Sequence, residues 1–465
     1  MSLTVQPKPL LVAAVVAACL ALGARAQEAP PAPAGPPASQ QPSEITTTIA
    51  GEGGLPPRLA LPAFIALSPD AESQAVARTI STVLFDDLAF EREFALIPRD
   101  VYATIQPATG FADVPFDRWR ELNADGLVIG TVQKTATGIR IEVRLFDLHG
   151  RQPIPPSAFG KEYSGSTANP RAYAHTIADE LHQTQRGLRG IARTKLTFNS
   201  DRDGERMTGT VENRSVKEIY IADYDGESQK RVTVGRSLNI TSTWAPDARS
   251  IAYSSYRRGL PNIFVSHIYQ GTLEELTKER GNNFTPSWSP DGTRLAFAST
   301  RDGNMEIYVM NRDGSNVRRL TNHPASDITP TWSPSGTQIA FTSDRSGTPQ
   351  IYIVGADGLG LQRLTSEPYA DRATWSPAPF NEVAYTARTG PGNDIKIMVL
   401  ATREVRQITF GEGTNESPSW APNGRHLAFT STRSGKTQIF TVARDGKNLR
   451  QLTRTGNNYQ PDWSN

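Results

Sequence analysis

Trp288-Ser289-Pro290-Asp291-Gly292, followed by Leu295-Ala296-Phe297, decides the fold, because the chain repeats it. Six tryptophans, Trp244, Trp288, Trp332, Trp375, Trp420 and Trp463, are separated by steps of 44, 44, 43, 45 and 43 residues. The first five are followed by Ser-Pro or Ala-Pro. A period near 44 is too long for a leucine-rich or ankyrin unit and matches one four-stranded propeller blade. Propellers generally hold a partner over a central channel, so the repeat points to a binding protein before an enzyme.

Each repeat reads as four antiparallel strands. The tryptophan ends the first, and Ser-Pro-Asp-Gly supplies a tight turn, with Pro at its second position and Gly where φ must be positive. The second strand carries Ile251-Ala252-Tyr253, Leu295-Ala296-Phe297, Ile339-Ala340-Phe341, Val383-Ala384-Tyr385 or Leu427-Ala428-Phe429. Alternation puts the small alanine on the face opposite its bulky neighbours, as closely stacked blades require. Third strands begin near Ile263, Ile307, Ile351 and Ile439, and fourth strands carry Arg319-Leu320-Thr321 and its counterparts. The ends give the blade number. Leu196-Thr197-Phe198-Asn199-Ser200 matches a second strand with no Trp-Ser-Pro before it, and Trp463-Ser464-Asn465 matches a first strand with no second after it. The C-terminal strand is expected to complete the first blade, closing six blades over residues 193–465 and leaving no open sheet edge. Residues 203–216 interrupt the first blade as an extra surface loop.

Residues 58–192 change to a mixed pattern and predict an α/β domain with its own core. Strands are expected at Leu59-Ala60-Leu61-Pro62-Ala63-Phe64, at Phe94-Ala95-Leu96-Ile97 and as a pair across 126–132 and 139–146. Helices are expected over 72–90, 116–122 and 170–185; the first places Val76, Ile80, Val83, Leu84 and Leu88 on one face. The fold class is therefore an α/β N-terminal domain followed by an all-β six-bladed propeller.

Before residue 58 the chain cannot build a core. Residues 10–23 are apolar, preceded by Lys8 and closed by Ala24-Arg25-Ala26, which reads as a signal peptide over 1–26 rather than a membrane span. Cys19 is the only cysteine. Cleavage after Ala26 leaves a chain without thiols, excluding disulfides, cysteine metal sites and a cysteine nucleophile. In the competing reading, Val16-Ala17-Ala18-Cys19 is a lipobox and Cys19 an acylated terminus. Residues 27–57 hold a Pro-rich tether and then the β-prone Glu44-Ile45-Thr46-Thr47-Thr48-Ile49. That run suits either an edge strand of the next domain or a strand added to another protein's sheet.

Little in the sequence suggests catalysis or nucleic acid. Lys plus Arg (49) nearly balance Asp plus Glu (47), without the basic excess that phosphate binding needs. There is no Gly-x-Ser-x-Gly elbow, phosphate loop or dinucleotide fingerprint. The six histidines show no zinc spacing, and His175 and His182 are expected on a solvated helix face. Asp201-Arg202-Asp203-Gly204 lacks the remaining ligands of a calcium loop. No cofactor or metal is expected.

The domain order as a whole, with the Trp-Ser-Pro-Asp-Gly propeller closed by the C-terminus, resembles the TolB family of the Tol-Pal system in Gram-negative envelopes. The resemblance covers residues 44–465. It implies a periplasmic, non-catalytic and monomeric scaffold that spans no membrane and supports outer-membrane integrity and envelope constriction in cell division. Its partners would be the lipoprotein Pal, at the channel mouth, and TolA, bound by strand addition. TolA would take Glu44, Ile45, Thr46, Thr47, Thr48 and Ile49; here the Pro-rich stretch precedes them, where the family usually starts directly. Pal would meet Asn282, Asn283, Thr285, Ile328 and Thr329 just before their tryptophans, with Glu416, Ser417, Tyr459 and Gln460 around the same opening. Asn282 departs from the histidine common in the family. The tryptophans themselves are expected in the core. Pal occupancy would then bias the docked or free state of the N-terminal strand. Two alternatives accompany this reading: a propeller regulating a separate peptidase, and a lipid-anchored propeller binding peptidoglycan or sugar.

Overall fold

The computed structural model describes residues 48–51, 54–150, 152–207, 215–278 and 281–465. The signal peptide, lipobox and tether readings, and residues 44–47, lie outside the described residues.

The N-terminal region is a mixed sheet with helices on both faces. Strands β1 (Arg58–Ala60), β2 (Ile65–Ala66), β3 (Ala95–Leu96), β4 (Gly126–Thr135), β5 (Gly138–Asp147) and β6 (Ser157–Gly165) run in the order β3-β1-β4-β5-β6, with β2 also on β4. β1 lies parallel between β3 and β4, whereas β4, β5 and β6 form an antiparallel meander. Helix α1 (Ala71–Glu91) starts at Asp70, whose carboxylate accepts the Ser73 N–H at 3.0 Å. Val76, Ile80, Val83, Leu84 and Leu88 are all buried, as their spacing predicts. Helix α2 (Phe116–Glu121) covers the other face, and α3 (Pro170–Arg186) lies beside α1. The strand expected over residues 59–64 is shorter and resumes at β2, because Pro62 cannot donate to a ladder. β6 was not anticipated. Only Ala158 and Phe159 of it are fully buried, so its alternation is weak.

Six four-stranded sheets follow, each ordered from the channel outward. The innermost strands are Asn458–Trp463, Asn239–Trp244, Asn283–Trp288, Asp327–Trp332, Ala370–Trp375 and Asn415–Trp420, in blades one to six. The first belongs to the C-terminus and pairs with Lys195–Ser200, so the ring closes as expected. The seam is reinforced where Trp463 Nε1 donates to Thr194 Oγ1 at 2.8 Å and Ser464 N to Lys195 O at 2.8 Å. Leu295 and Phe297 pack back onto Ala252, while Ala296 receives Ile339 and Phe341 of the next blade. The alanine thus sets the blade spacing. Five of the six repeat tryptophans are buried, and Trp375 is half-buried.

A polar link recurs in every blade. The fourth-strand threonine accepts the N–H of the third-strand isoleucine: Thr321 from Ile307 at 2.9 Å, Thr365 from Ile351 at 2.9 Å and Thr453 from Ile439 at 2.9 Å. The same hydroxyls donate to buried Glu306, Gln350 and Gln438.

One hydrophobic cluster runs from α1, α3 and the sheet into Leu196, Phe198, Tyr224, Ala428 and Trp463 of the propeller. Around it, Glu91 accepts Arg425 at 2.6 Å and Ile191 N at 3.0 Å, Asp87 accepts the Tyr224 hydroxyl at 2.7 Å, and Phe90 stacks on His426. These groups correct the solvated-face reading of α3. His175 and His182 are buried, because that face packs on α1 and the propeller; His175 meets Asp87 at 2.8 Å, and His182 Nδ1 donates to Ala178 O at 2.9 Å. The α/β region is seated on the turns of blades six and one, at the end of the ring where the first strands finish.

Candidate binding site at the channel mouth

The opposite end, where the innermost strands begin, is open. Each of these strands carries a register shift, and the residue three places before its tryptophan lies in the left-handed region: Thr241, Thr285, Thr329, Arg372, Ser417 and Gln460, with φ between 49° and 55°. Such bulges re-aim side chains, and a non-glycine left-handed residue costs on the order of 1 kcal/mol or more. Six at one level line a channel cavity of about 140 Å³. The backbone is held there by hydroxyls of the neighbouring second strands: Thr285 N donates to Ser254 at 3.1 Å, Ser417 N to Thr386 at 3.0 Å and Gln460 N to Thr430 at 2.9 Å.

One residue nearer the rim lie Ile240, Phe284, Ile328, Asp371, Glu416 and Tyr459. Glu416 accepts Asn393 Nδ2 at 2.7 Å, and the Lys217 amine sits 3.5 Å over the Tyr459 ring. Burial lowers the affinity of Lys217 for its proton. Deeper, one place before the tryptophans, the ring is hydroxyl-lined except for Asp462. Its carboxylate accepts Trp244 N at 2.7 Å, yet the channel wall pushes its pKa up to about 6.

Of the residues expected at the mouth, Thr285, Thr329, Ser417 and Gln460 line the channel, and Ile328, Glu416 and Tyr459 stand half-exposed above them. Asn282 is half-buried on the approach, its N–H donating to Thr300 Oγ1 at 2.9 Å. Asn283 is different. It is fully buried, and its amide is spent on Gly281 O, Ser299 and Arg301. It shapes the rim from beneath. Thr48 is exposed, but Ile49 is buried in the α/β core, its N–H donating to Gln185 at 3.1 Å. The sequence reading passed over Thr241 and Arg372, although counting three back from Trp244 and Trp375 finds both. Asp201 and Asp203 are occupied by protein donors: Asp201 accepts Asn457 N at 2.7 Å, and Asp203 meets Arg231 at 3.0 Å. Among the described residues no helix is long and apolar enough to cross a membrane.

This architecture defines a class: a six-bladed propeller built behind a small α/β domain that is seated on two blades at one end of the ring. The chain matches the TolB beta propeller domain over residues 184–465 and the TolB amino-terminal domain over residues 46–154. It belongs to the TolB family. It is similar to the Tol-Pal system protein TolB of Desulfosudis oleivorans, 33% identical over 212 residues that cover 45% of each chain. Its likeness to that of Paramagnetospirillum magneticum is 33% over 215 residues, covering 46% of this chain and 45% of the relative. These alignments thus span about half the length of the curated relatives. The crystal structure of TolB from Acinetobacter baumannii superimposes with a TM-score of 0.72 at 24% identity, covering 88% of this chain and 96% of that one.

Proposed function

We propose that the chain is a periplasmic, non-catalytic adaptor of the Tol-Pal system whose open channel mouth binds the lipoprotein Pal. The observation that carries this reading is the ring of six left-handed residues at the accessible end of the propeller. Strain repeated six times at one level, with hydroxyls of the preceding blade accepting the N–H of Thr285, Arg372, Ser417 and Gln460, supports a recognition surface. Thr285, Thr329, Ser417 and Gln460 form its inner edge, and Ile328, Glu416 and Tyr459 its outer one. Asn282 adds to the approach, and Asn283 supports the rim. Residues 44–49 bind TolA by strand addition. Ile49 sits in the core, so complete addition of that strand requires its release. Mobilising one buried isoleucine costs about 2 kcal/mol or more in transfer energy, which couples TolA engagement to the state of the α/β core. In the cell, loss of either contact weakens the outer membrane and delays constriction at division.

The test is calorimetric titration with soluble Pal, comparing wild type with Thr285→Arg plus Thr329→Arg. Blade five already carries an arginine at this position, so the backbone accepts the substitution. Tight binding that the double variant loses while melting normally supports the reading; wild type that does not bind overturns it.

A further inference from the structure

The six left-handed residues are not equivalent. Five are Thr, Ser or Gln, and the sixth is Arg372. The outer ring is uneven in the same place. Tyr459, Ile240, Phe284 and Ile328 make a continuous apolar arc over blades one to four, whereas Asp371 and Glu416 occupy blades five and six. A partner segment therefore meets greasy and charged sectors whose positions are fixed by the fold.

Arg372 is well anchored at its base. Its N–H donates to Asp371 Oδ1 at 2.7 Å and to Thr342 Oγ1 at 3.3 Å. Its guanidinium has one ion pair, Nε to Asp371 Oδ2 at 3.5 Å, and its side chain is 32% exposed. Asp371 is already shared, accepting Thr342 Oγ1 at 2.8 Å, Thr329 Oγ1 at 3.3 Å and the Tyr369 hydroxyl at 3.2 Å. The terminal nitrogens of Arg372 meet no acceptor among the described residues. A planar guanidinium with its outer edge open, fixed at the wall of a narrow cavity, fits a carboxylate bidentately.

We infer that Arg372 receives a carboxylate side chain from the protein segment that enters the channel mouth, and so selects partners carrying an Asp or Glu at that point. The inference rests on the proposed partner-binding role of the mouth. Because Arg372 is the one cation among the six left-handed residues, it also fixes the rotational setting of a partner on a nearly sixfold ring.

The experiment titrates soluble Pal into the wild-type mature protein and into Arg372→Lys, Arg372→Met and Arg372→Glu at several salt concentrations. Arg372→Met should weaken binding about 10- to 100-fold and flatten its salt dependence. Arg372→Glu should weaken it further, and Arg372→Lys should restore only part, because an ammonium lacks the planar fork. The pair Asp371→Asn plus Arg372→Met removes the uncompensated Asp371 charge and should bind as weakly as Arg372→Met. On the partner side, each surface Asp or Glu of Pal is neutralised in turn. One such change should weaken wild-type binding about tenfold or more and have no effect against Arg372→Met, a coupling that a purely structural arginine would not show. Wild-type binding with Arg372→Glu within threefold of it, or no coupled carboxylate, overturns the inference and leaves the mouth as the site. No wild-type binding overturns both.

Discussion

The fourth-strand threonines show how much of a blade depends on one hydroxyl. Thr321 satisfies the Ile307 N–H and donates to Glu306, a carboxylate with no exposed surface. Valine has the same shape but satisfies neither group. Thr321→Val should therefore cost about 2–4 kcal/mol, read as a lower urea midpoint at unchanged slope. Thr365→Val should cost less, because its partner Gln350 is neutral. Residues of this kind are legible as a repeat but not as a reason. Leu-Thr recurs visibly in the sequence, while the buried acceptor lies 15 residues earlier in chain order. Arg372 was missed for the opposite reason: its position follows by counting from Trp375, but only the left-handed geometry gives it a role. The two α3 histidines were misread because helical spacing shows which residues share a face, not what covers it.

Blades could be read from sequence because five of the six solve one packing problem with the same few residues, and the first differs mainly in Thr197 replacing the alanine. The tryptophan fills the gap between blades, the alanine sets the spacing, and the turn needs Gly292 or its equivalent at positive φ. The α/β elements carry no such repetition. Their long buried pieces, α1 and the β4–β5 hairpin, stood out, whereas the edge strand β6, interrupted by Gly160, Lys161 and Glu162, did not. Among the propeller elements, the C-terminal strand is the most exposed to loss. Deleting residues 458–465 strips the partner from Lys195–Ser200 and removes Trp463 from the shared core. The truncated chain should lose cooperative melting and gain light scattering, since an unpaired inner strand invites pairing between molecules. Calorimetry with parallel scattering checks this; a sharp, reversible transition near the wild-type temperature would contradict it.

At the scale of the whole molecule, the joint between the α/β region and the propeller is a buried polar seam. His426, stacked on Phe90, has its pKa pushed down to about 3, first by burial and then by Arg425, with Arg92 and Arg450 adding to it. His182 is lowered in the same way by burial. Glu91 is raised to about 7, also by burial, with Arg425 opposing. The native state keeps His426 neutral, while an unfolded histidine takes its proton near the ordinary 6.5. The stability this contributes is therefore fully present above about pH 6.5 and falls as pH drops towards 3, by up to about 1.4 kcal/mol per pH unit for His426, with His182 acting in the same direction. Glu91 acts in reverse: its contribution is present below its ordinary 4.5 and is lost as pH rises through 7. Between pH 4.5 and 6.5 it opposes the contribution of His426. His426→Gln should accordingly flatten the loss of melting temperature between pH 6.5 and 5 relative to wild type. Equal slopes in the two proteins would show that the seam does not take up the proton.

The closed ring also sets a clock. Lys195 and Ser464 are 269 residues apart in sequence yet hydrogen-bonded in the native fold. That contact cannot form until almost every residue of the propeller has been delivered, and its loop-closure entropy is met late. Five blades can therefore assemble in order while the first waits with a vacant inner lane. During that interval the molecule is most vulnerable to proteases and to its own copies, and the last eight residues end it.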